Sequence, residues 1–200
     1  MSRISGNRKQ IGAIPTVIGA GITEQYYFQH ISHCTEFVFR IRPRFFGTES
    51  IYKLGKKIDK VIADGGVAIC VFDADIARNN DVERVKLERF CKKYSKKKNV
   101  ILCDSLPSIE YWFLLHFCKT NKYYKDSDSV QRTLRKFIPS YEKKEVFFKT
   151  VKWVDDMCSD GKMEKAIANA KQFGTKGLSY SNVYKAFEKQ LKCANCRLLS

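Results

Sequence analysis

Two aspartates that follow directly on an apolar run are the first candidates for chemistry in this chain. Asp73 and Asp75 come after residues 67–72, whose unbroken Val-Ala-Ile-Cys-Val-Phe sequence is typical of a central strand in a parallel sheet. Both side chains of an Asp-x-Asp segment leave an extended backbone on the same side, and carboxylates this close suit Mg²⁺ or Mn²⁺. Taken alone the motif is a weak signal, because aspartate is also common in turns and helix caps.

Two other stretches carry a glutamate behind a strand-like segment. Residues 14–18 precede Gly19-Ala20-Gly21-Ile22-Thr23-Glu24, a small-residue turn of the kind that places ligands between a strand and a helix. Residues 100–103 precede Pro107, which favours the start of a helix and would put Glu110 in its first turn. The alternative is that a glutamate at that place only interacts favourably with the helix dipole.

Strand-like and helix-like segments alternate up to residue 118, which predicts a parallel sheet with helices on both faces. Residues 37–45 alternate with period two, which predicts a half-buried strand with a ridge of arginines. Apolar spacing predicts helices near 51–62 and 82–94, and later ones near 127–138, 141–158, 162–173 and 180–192. We therefore predict an α/β fold, with a small parallel-sheet core in residues 1–118 and a helical extension in 119–200 packed on that core.

The net charge points to a polyanionic partner. The 200 residues carry 37 Lys and Arg against 21 Asp and Glu, a formal charge of +16. Basic side chains that neutralise phosphates release counterions, so this excess favours nucleic acid; solvated lysine-rich helix faces are the alternative. The expected contacts are Arg40, Arg42, Arg44, Lys92, Lys93, Lys96, Lys97, Lys98 and His116. His116 lies about 240° round the helix from Glu110, so a hydrogen-bonded core histidine is an equal interpretation.

Taken together, the three strand-end motifs resemble the Toprim fold of topoisomerases, primases and OLD-type nucleases, and within it the RloB family. The block Ser105 to Phe117, with the pattern Ser-x-Pro-x-x-Glu-x-Trp-x-Leu-Leu-His-Phe, is the most specific match, while residues 165–171 and 180–185 are more faintly similar. The resemblance implies a nuclease that depends on Mg²⁺ or Mn²⁺. Its metal ligands would be Asp73, Asp75 and Glu110, with Glu24 and position 20 as further catalytic positions.

The resemblance also implies a biological setting. Proteins of the family often stand beside an ABC- or SMC-like ATPase in antiphage defence systems, so we expect a toxic, cytoplasmic effector of abortive infection with such an ATPase as sensor. RNA such as tRNA is expected ahead of DNA, because no helix-turn-helix or second DNA-reading module is evident. The aromatic cluster Phe147, Phe148 and Trp153 predicts either an interaction surface, for a homodimer or the ATPase, or a second small core.

Ala20 is where the sequence departs from the family pattern. Many metal-dependent nucleic-acid enzymes carry Glu-Gly-x-Thr-Glu at this turn, whereas this chain has Ala20-Gly21-Ile22-Thr23-Glu24. The missing glutamate is the expected general acid/base or metal contact. Because the other motif residues are intact, we expect a deliberate Glu→Ala change that silences a toxic enzyme. A naturally non-catalytic family member is the alternative.

Two other functions stay open on the sequence. A non-catalytic subunit that binds nucleic acid or a partner gains weight if Ala20 is natural, and a phosphohydrolase would use Asp73 as its nucleophile. The block Ser105 to Phe117 argues against the phosphohydrolase. We expect no membrane partner, because no run reaches the roughly 18 apolar residues of a span. We expect no structural zinc at Cys193 and Cys196, because no second Cys pair exists.

Overall fold

A computed structural model describes residues 14–47, 50–78, 80–174 and 178–188. Its strands are β1 (Thr16–Gly19), β2 (Arg40–Ile41), β3 (Ala68–Asp73), β4 (Val100–Leu106) and β5 (Tyr180–Ser181). Its helices are α1 (Ile22–Cys34), α2 (Ile51–Ala63), α3 (Asp81–Tyr94), α4 (Glu110–Leu115), α5 (Ser127–Leu134), α6 (Glu145–Phe148), α7 (Lys152–Cys158) and α8 (Lys162–Phe173). The strands form one sheet in the order β2-β1-β3-β4-β5, parallel except for β5. The predicted α/β fold with a mostly parallel sheet is confirmed.

The register of the sheet brings the strand ends to a common edge. Gly19 at the end of β1 pairs with Val71 of β3, and Asp73 at the end of β3 pairs with Ser105 of β4. Parallel strands present their carboxyl ends on the same side. The three segments that follow β1, β3 and β4 therefore leave the sheet together, which is the arrangement that the three motifs require.

Alternation along the strands divides the core between the two faces of the sheet. Val17 and Val71 point into one apolar cluster, together with α1, α4 and the helices from α5 onward. Ile18 and Phe72, the next residue along each strand, point into a second cluster with α2 and α3. Successive side chains of a strand leave on opposite faces, so one short apolar run supplies both cores.

The helices after residue 118 pack against the sheet through the first of these clusters. Trp153 and Phe148 are buried beside Tyr27 of α1 and Phe113 of α4, and Phe147 is partly buried at the edge of the same cluster. These aromatics are thus part of the main core instead of an exposed interaction surface. The two halves of the chain share this cluster, and the boundary at residue 118 stays a prediction.

The starts of α2 and α3 follow from their capping residues. The Ser50 hydroxyl accepts a hydrogen bond from the Lys53 N–H (3.4 Å), and Asn80 Oδ1 accepts from the N–H groups of Val82 and Glu83 (3.0 and 3.1 Å). The helix near 51–62 ends as expected before Gly65, which has a φ of 71° that favours glycine.

The buried face of α3 is formed by residues of its later turns. Leu87, Phe90 and Tyr94 are buried, but Val82 and Val85 are exposed. Val85 lies about 200° round the helix from Leu87, so the two cannot share a face. The valines of the first turns therefore do not belong to the core.

Three predicted segments are wrong in detail. The helix expected near 141–158 is divided into two short helices, α6 and α7, and residues 141–144 are not helical. The strand expected over residues 37–45 pairs only at Arg40–Ile41, because Pro43 fixes φ, has no N–H to donate and begins a 3₁₀ turn, Pro43–Phe45. The helix expected from residue 180 begins instead as β5, where the Tyr180 hydroxyl and the Asn182 amide both donate to the Asp104 carboxylate at 2.8 Å. Burial against β4 outweighs the helical pattern there.

Two further observations bear on the sequence predictions. None of the helices in the described part of the chain is long and apolar enough to cross a membrane. Cys193 and Cys196 lie outside the described residues.

Candidate functional site

Three carboxylates from separate segments come together at the carboxyl edge of the sheet. Glu24 lies in the first turn of α1 and is buried, Asp73 ends β3 and is half-buried, and Glu110 opens α4 and is fully buried. The charges of Glu24 and Glu110 both act on Asp73. We call Glu24, Asp73 and Glu110 the carboxylate site.

Glu110 is held by side chains from two later segments. Its Oε1 lies 3.0 Å from the Lys143 ammonium and accepts a hydrogen bond from the Tyr141 hydroxyl at 3.1 Å. Its Oε2 accepts from the Ser127 hydroxyl at 3.4 Å, and Ser127 accepts in turn from the Gln131 amide at 2.9 Å. A buried carboxylate needs partners of this kind, because losing its water without them is costly.

The two aspartates of the Asp-x-Asp pair have different surroundings. Asp73 Oδ1 accepts a hydrogen bond from the Ile109 N–H at 2.9 Å, which fixes the carboxylate to the turn just before α4. Asp75 begins a 3₁₀ turn, Asp75–Ala77, and is exposed, although its charge still reaches Asp73. The structure therefore places Asp73 inside the site and Asp75 on its rim.

The turn between β1 and α1 needs glycine for close approach. A Cβ added to Gly19 would lie 2.6 Å from the Phe46 ring and 3.0 Å from Glu24 Cβ, so a larger residue would push both away. A Cβ added to Gly21 would lie 3.2 Å from Glu24 Oε2. The small residues thus let Glu24 fold back over the end of β1 toward Asp73.

Among the described residues, Lys143 is the cation whose charge acts on Glu24 and Asp73, against the combined charge of the three carboxylates. Burial and the charge of Glu110 raise the pKa of Glu24 to about 7, against the smaller opposing effects of backbone hydrogen bonds and Lys143. Burial, Glu24 and Glu110 hold the pKa of Asp73 well above its usual range. Burial lowers the pKa of Lys143, but Glu110, Asp73 and Glu24 outweigh it and raise that pKa. A carboxyl group that titrates near neutrality can either give or take a proton.

Comparison with known proteins adds a family to this geometry. The family model for RloB-like proteins matches residues 16–189, which include all three carboxylates and the segments that hold them. The chain belongs to the RloB-like family. Searches of curated proteins and of solved structures found no match.

The donor set of this RloB-like chain fits a hard divalent cation. The carboxylate site offers only oxygen ligands, which Mg²⁺ and Mn²⁺ prefer, and the charges of neighbouring carboxylates add to burial in raising the pKa values of Glu24 and Asp73. Within the described ranges, no three His, Cys, Asp or Glu side chains already stand at coordination spacing. Cation binding would therefore need the carboxylates to turn toward one another.

Ala20 occupies a different position from the three carboxylates. It follows Gly19, and its side chain packs at the edge of the second cluster, on the α2 and α3 side of the sheet. Asp73 is two residues after Val71 on β3, so its side chain leaves the strand on the same face as that of Val71, toward the first cluster. Because Gly19 pairs with Val71, a glutamate at position 20 would lie beside the end of β3 at this edge of the sheet.

The predicted arginine contacts lie at different distances from the carboxyl edge. Arg40 pairs with Thr16 at the start of β1, whereas Arg42 and Arg44 follow toward the carboxyl edge. The guanidinium carbons of Arg42 and Arg44 lie 5.6 and 5.3 Å from the centroid of the buried Phe45 ring. Phe45 belongs to the second cluster, so these two arginines flank the α2 and α3 side of the sheet, while the neighbouring Phe46 lies against Gly19 at the carboxyl edge.

The predicted lysine contacts lie away from the carboxylates. Lys92, Lys93, Lys96, Lys97 and Lys98 lie at the end of α3 and just after it, before β4 begins, and so at the amino edge of the sheet. His116 is buried with 2% of its surface exposed, its Nδ1 is 3.0 Å from the Trp112 carbonyl oxygen, and burial lowers its pKa to about 4. In this conformation His116 is a core histidine that an external nucleic acid cannot reach.

Sequence reasoning missed the residues that hold Glu110 in place. Tyr141 and Lys143 lie in a loop between α5 and α6, and Ser127 begins α5. Nothing in their spacing marks them, because only the packing of the helical part against α4 brings them to the site. Lys143 was one lysine among the many in a basic segment, and no local pattern could have distinguished it.

Proposed function

We propose that this RloB-like chain has the framework of a metal-dependent nuclease that acts as a toxic effector in antiphage defence. The observation that carries the proposal is the convergence of Glu24, Asp73 and Glu110 at the carboxyl edge of the sheet, with raised pKa values for Glu24 and Asp73. An ion pair that served only to stabilise the fold would need one carboxylate for Lys143, not the three that the carboxylate site contains. Perturbed carboxyl groups gathered in this way are typical of sites that do chemistry.

Each group at the site has a role that follows from its surroundings. Asp73 and Glu110 would hold Mg²⁺ or Mn²⁺, with Asp75 at the rim; such a cation supplies Lewis acidity and lowers the pKa of bound water. Glu24, with a pKa of about 7, can hold or release a proton at neutral pH. Lys143 is 44% exposed at its side chain, so its ammonium can contact Glu110 and a phosphate oxygen at once.

The basic segment after β2 supports a nucleic-acid substrate. Arg42 and Arg44 follow β2 toward the carboxyl edge of the sheet, and the chain as a whole has a formal charge of +16. Guanidinium groups bind phosphates through paired hydrogen bonds, so these two arginines would hold the strand next to the carboxylate site. We propose RNA, with tRNA as one candidate, ahead of DNA, and an ABC- or SMC-like ATPase as the sensor that controls the activity.

A non-catalytic role is the second candidate, and Ala20 favours it. The expected acid/base glutamate is absent, so the present chain would bind nucleic acid or a partner without cutting. If the chain is instead a nuclease, the same alanine leaves it without one catalytic group. The two candidates differ in what restoring a glutamate at position 20 would do.

The test compares the present chain with Ala20→Glu and with Ala20→Glu combined with Asp73→Ala. Each protein is incubated with tRNA, single-stranded RNA and plasmid DNA, with Mg²⁺, Mn²⁺ or EDTA. We expect cleavage only by Ala20→Glu and only with a divalent cation, together with toxicity when that form is expressed. Val82→Glu, at an exposed position outside the site, controls for the added charge. If Ala20→Glu is inert under all conditions, the binding-subunit function is favoured. If the present chain already cleaves, position 20 is not catalytic.

A further inference from the structure

A groove between α2 and α3 lies on the face of the sheet opposite the carboxylate site. Its volume is about 480 Å³, within the range of pockets that hold small organic ligands. The floor is formed by Gly55, Phe90 and Tyr94, and the rim by basic and aromatic side chains. We call this cavity the α2–α3 groove. It shares no residue with the carboxylate site, and the proposed function makes no use of it.

The floor of the α2–α3 groove is rigid because the two helices touch there. The Tyr94 hydroxyl donates a hydrogen bond to the Gly55 carbonyl oxygen at 3.0 Å and also accepts one from Lys93 Nζ at 2.8 Å. A Cβ on Gly55 would lie 3.0 Å from the Tyr94 hydroxyl oxygen. The glycine therefore permits the close approach that shapes the groove, and the aromatic rings give it an apolar base.

The rim carries an aromatic ring that is open to a ligand. Tyr52 projects from the start of α2 with 69% of its surface exposed. The Lys56 ammonium lies 4.7 Å from the centroid of its ring, one turn further along the same helix. A planar, largely uncovered tyrosine beside a cation can stack against a second ring while the cation contacts an anionic group attached to that ring.

Basic groups on the rim outnumber acidic ones. Lys86 pairs with Glu83 at 2.6 Å, and Lys93 pairs with Asp59 at 2.9 Å, so these four charges cancel. Two further cations line the groove, Lys56 on α2 and Arg89 on α3. In the part of the chain that the structure describes, neither forms an ion pair, which leaves one uncancelled positive charge on each of the two helices that line the groove.

We propose that the α2–α3 groove binds a nucleotide, whose base stacks on Tyr52 and whose phosphate is held by Lys56 and Arg89. The apolar floor suits the base and sugar, and the two unpaired cations suit the phosphate. An acidic peptide would satisfy the cations but would leave the exposed tyrosine unused. The nucleotide can be a free one or a single unit of a nucleic-acid strand, since both present the same base and phosphate.

The test measures binding of AMP, ATP and a single-stranded RNA octamer by titration calorimetry in EDTA, so that no divalent cation can link a phosphate to the carboxylate site. We expect Tyr52→Ala to weaken binding about tenfold, as for loss of a base stack, and Tyr52→Phe to retain it. Arg89→Gln and Lys56→Gln should each weaken binding several-fold. Lys165→Gln, a charge removal at an exposed position of α8, should change it less than twofold.

The outcomes separate the sources and can overturn the proposal. Binding of AMP or ATP identifies a free nucleotide, and binding of the octamer alone identifies a strand. Inorganic polyphosphate that binds as tightly as ATP, with no effect of Tyr52→Ala, would show simple charge attraction and overturn the proposal. No binding at millimolar ligand would do the same. Asp73→Asn should leave groove binding unchanged, so failure here is distinct from failure of the nuclease proposal.

Discussion

The carboxylate site and the α2–α3 groove present charges in opposite ways. The charges of the site are mostly buried and come from α1, β3, α4 and a loop near residue 143, segments far apart in the sequence. The charges of the groove are exposed and come from two helices that follow each other in the chain. Buried charges interact strongly through a medium of low dielectric constant, whereas exposed charges are screened by water and salt.

The carboxylate site and the α2–α3 groove therefore depend on the fold in different ways. The carboxylate site exists only when both halves of the chain are packed, because Tyr141 and Lys143 reach Glu110 from the helical part. The groove requires only that α2 and α3 stay on their side of the sheet. We therefore expect changes near the site to alter the free energy of unfolding strongly and changes in the groove to leave it nearly unchanged.

The largest effect on stability is expected at Glu24 as a function of pH. Its pKa is about 7 in the folded chain and 4.5 as an ordinary glutamate, so the folded state binds more protons between these values. Stability contributed by the protonated carboxyl is present below pH 4.5 and is lost as pH rises toward 7. By pH 8 the cost is on the order of 3 kcal/mol, at 1.36 kcal/mol per pKa unit.

Glu24→Gln should remove that cost. Urea unfolding at several pH values should show the variant gaining stability over the parent chain as pH rises from 4.5 to 8, with little difference at pH 4. Glu142→Gln, at an exposed position near the site, provides the matched control: Lys144 lowers the pKa of Glu142, so this variant should not gain stability as pH rises. Parallel profiles for the parent and Glu24→Gln would mean that Glu24 is not among buried like charges.

A slightly smaller effect is expected at Arg78, which follows the Asp-x-Asp pair. Its guanidinium donates to the carbonyl oxygens of Tyr124 and Lys125, both at 2.8 Å, and to that of Leu178, and so ties three distant segments together. Arg78→Ala should lower the free energy of unfolding by about 2–3 kcal/mol, because charged hydrogen bonds are lost and the carbonyls lose their donor. Arg78→Lys should recover part of this.

Arg84 supplies the matched control for Arg78. It pairs with Asp81 at 2.9 Å one helical turn away, with both side chains more than half exposed. Arg84→Ala should cost no more than about 0.5 kcal/mol. Equal losses for the two variants would show that long-range contacts at the carboxyl edge contribute no more than a surface ion pair.

The smallest effect is expected in the groove. Lys93→Ala removes the ion pair with Asp59, in which the Lys93 side chain is 54% exposed and the Asp59 side chain 45% exposed. We expect a loss below about 1 kcal/mol that fades at high salt, since exposed pairs are weak and screened. A loss above 2 kcal/mol, independent of salt, would mean that the groove depends on buried charge in the way that the carboxylate site does.

The sheet and the strand ends were predictable because their signals are local. The apolar run before Asp73 and the helix spacing of Ile51, Leu54 and Ile58 each specify one element without reference to the rest. The strand predicted over residues 37–45 was wrong because its alternation was read without the effect of Pro43. Propensity and periodicity determine elements well where no single residue interrupts them.

The environment of Glu110 was not predictable for the opposite reason. Tyr141 and Lys143 have no fixed spacing from the carboxylates, and their contacts arise only when the helical part packs on α4. The same holds for Ser181, whose hydroxyl lies 2.8 Å from that of Ser105 across β4 and β5, in a segment with a helical pattern. Long-range contacts of this kind decide which side chains complete a site.

Cation binding tests the central claim most directly, namely that the three carboxylates form one site. Mn²⁺ binding is measured by electron paramagnetic resonance for the parent chain, Asp73→Asn and Glu142→Gln. The account predicts saturable Mn²⁺ binding by the parent, unchanged binding by Glu142→Gln, and at least tenfold weaker binding by Asp73→Asn. No saturable binding by the parent chain, or equal affinity in Asp73→Asn, would contradict it.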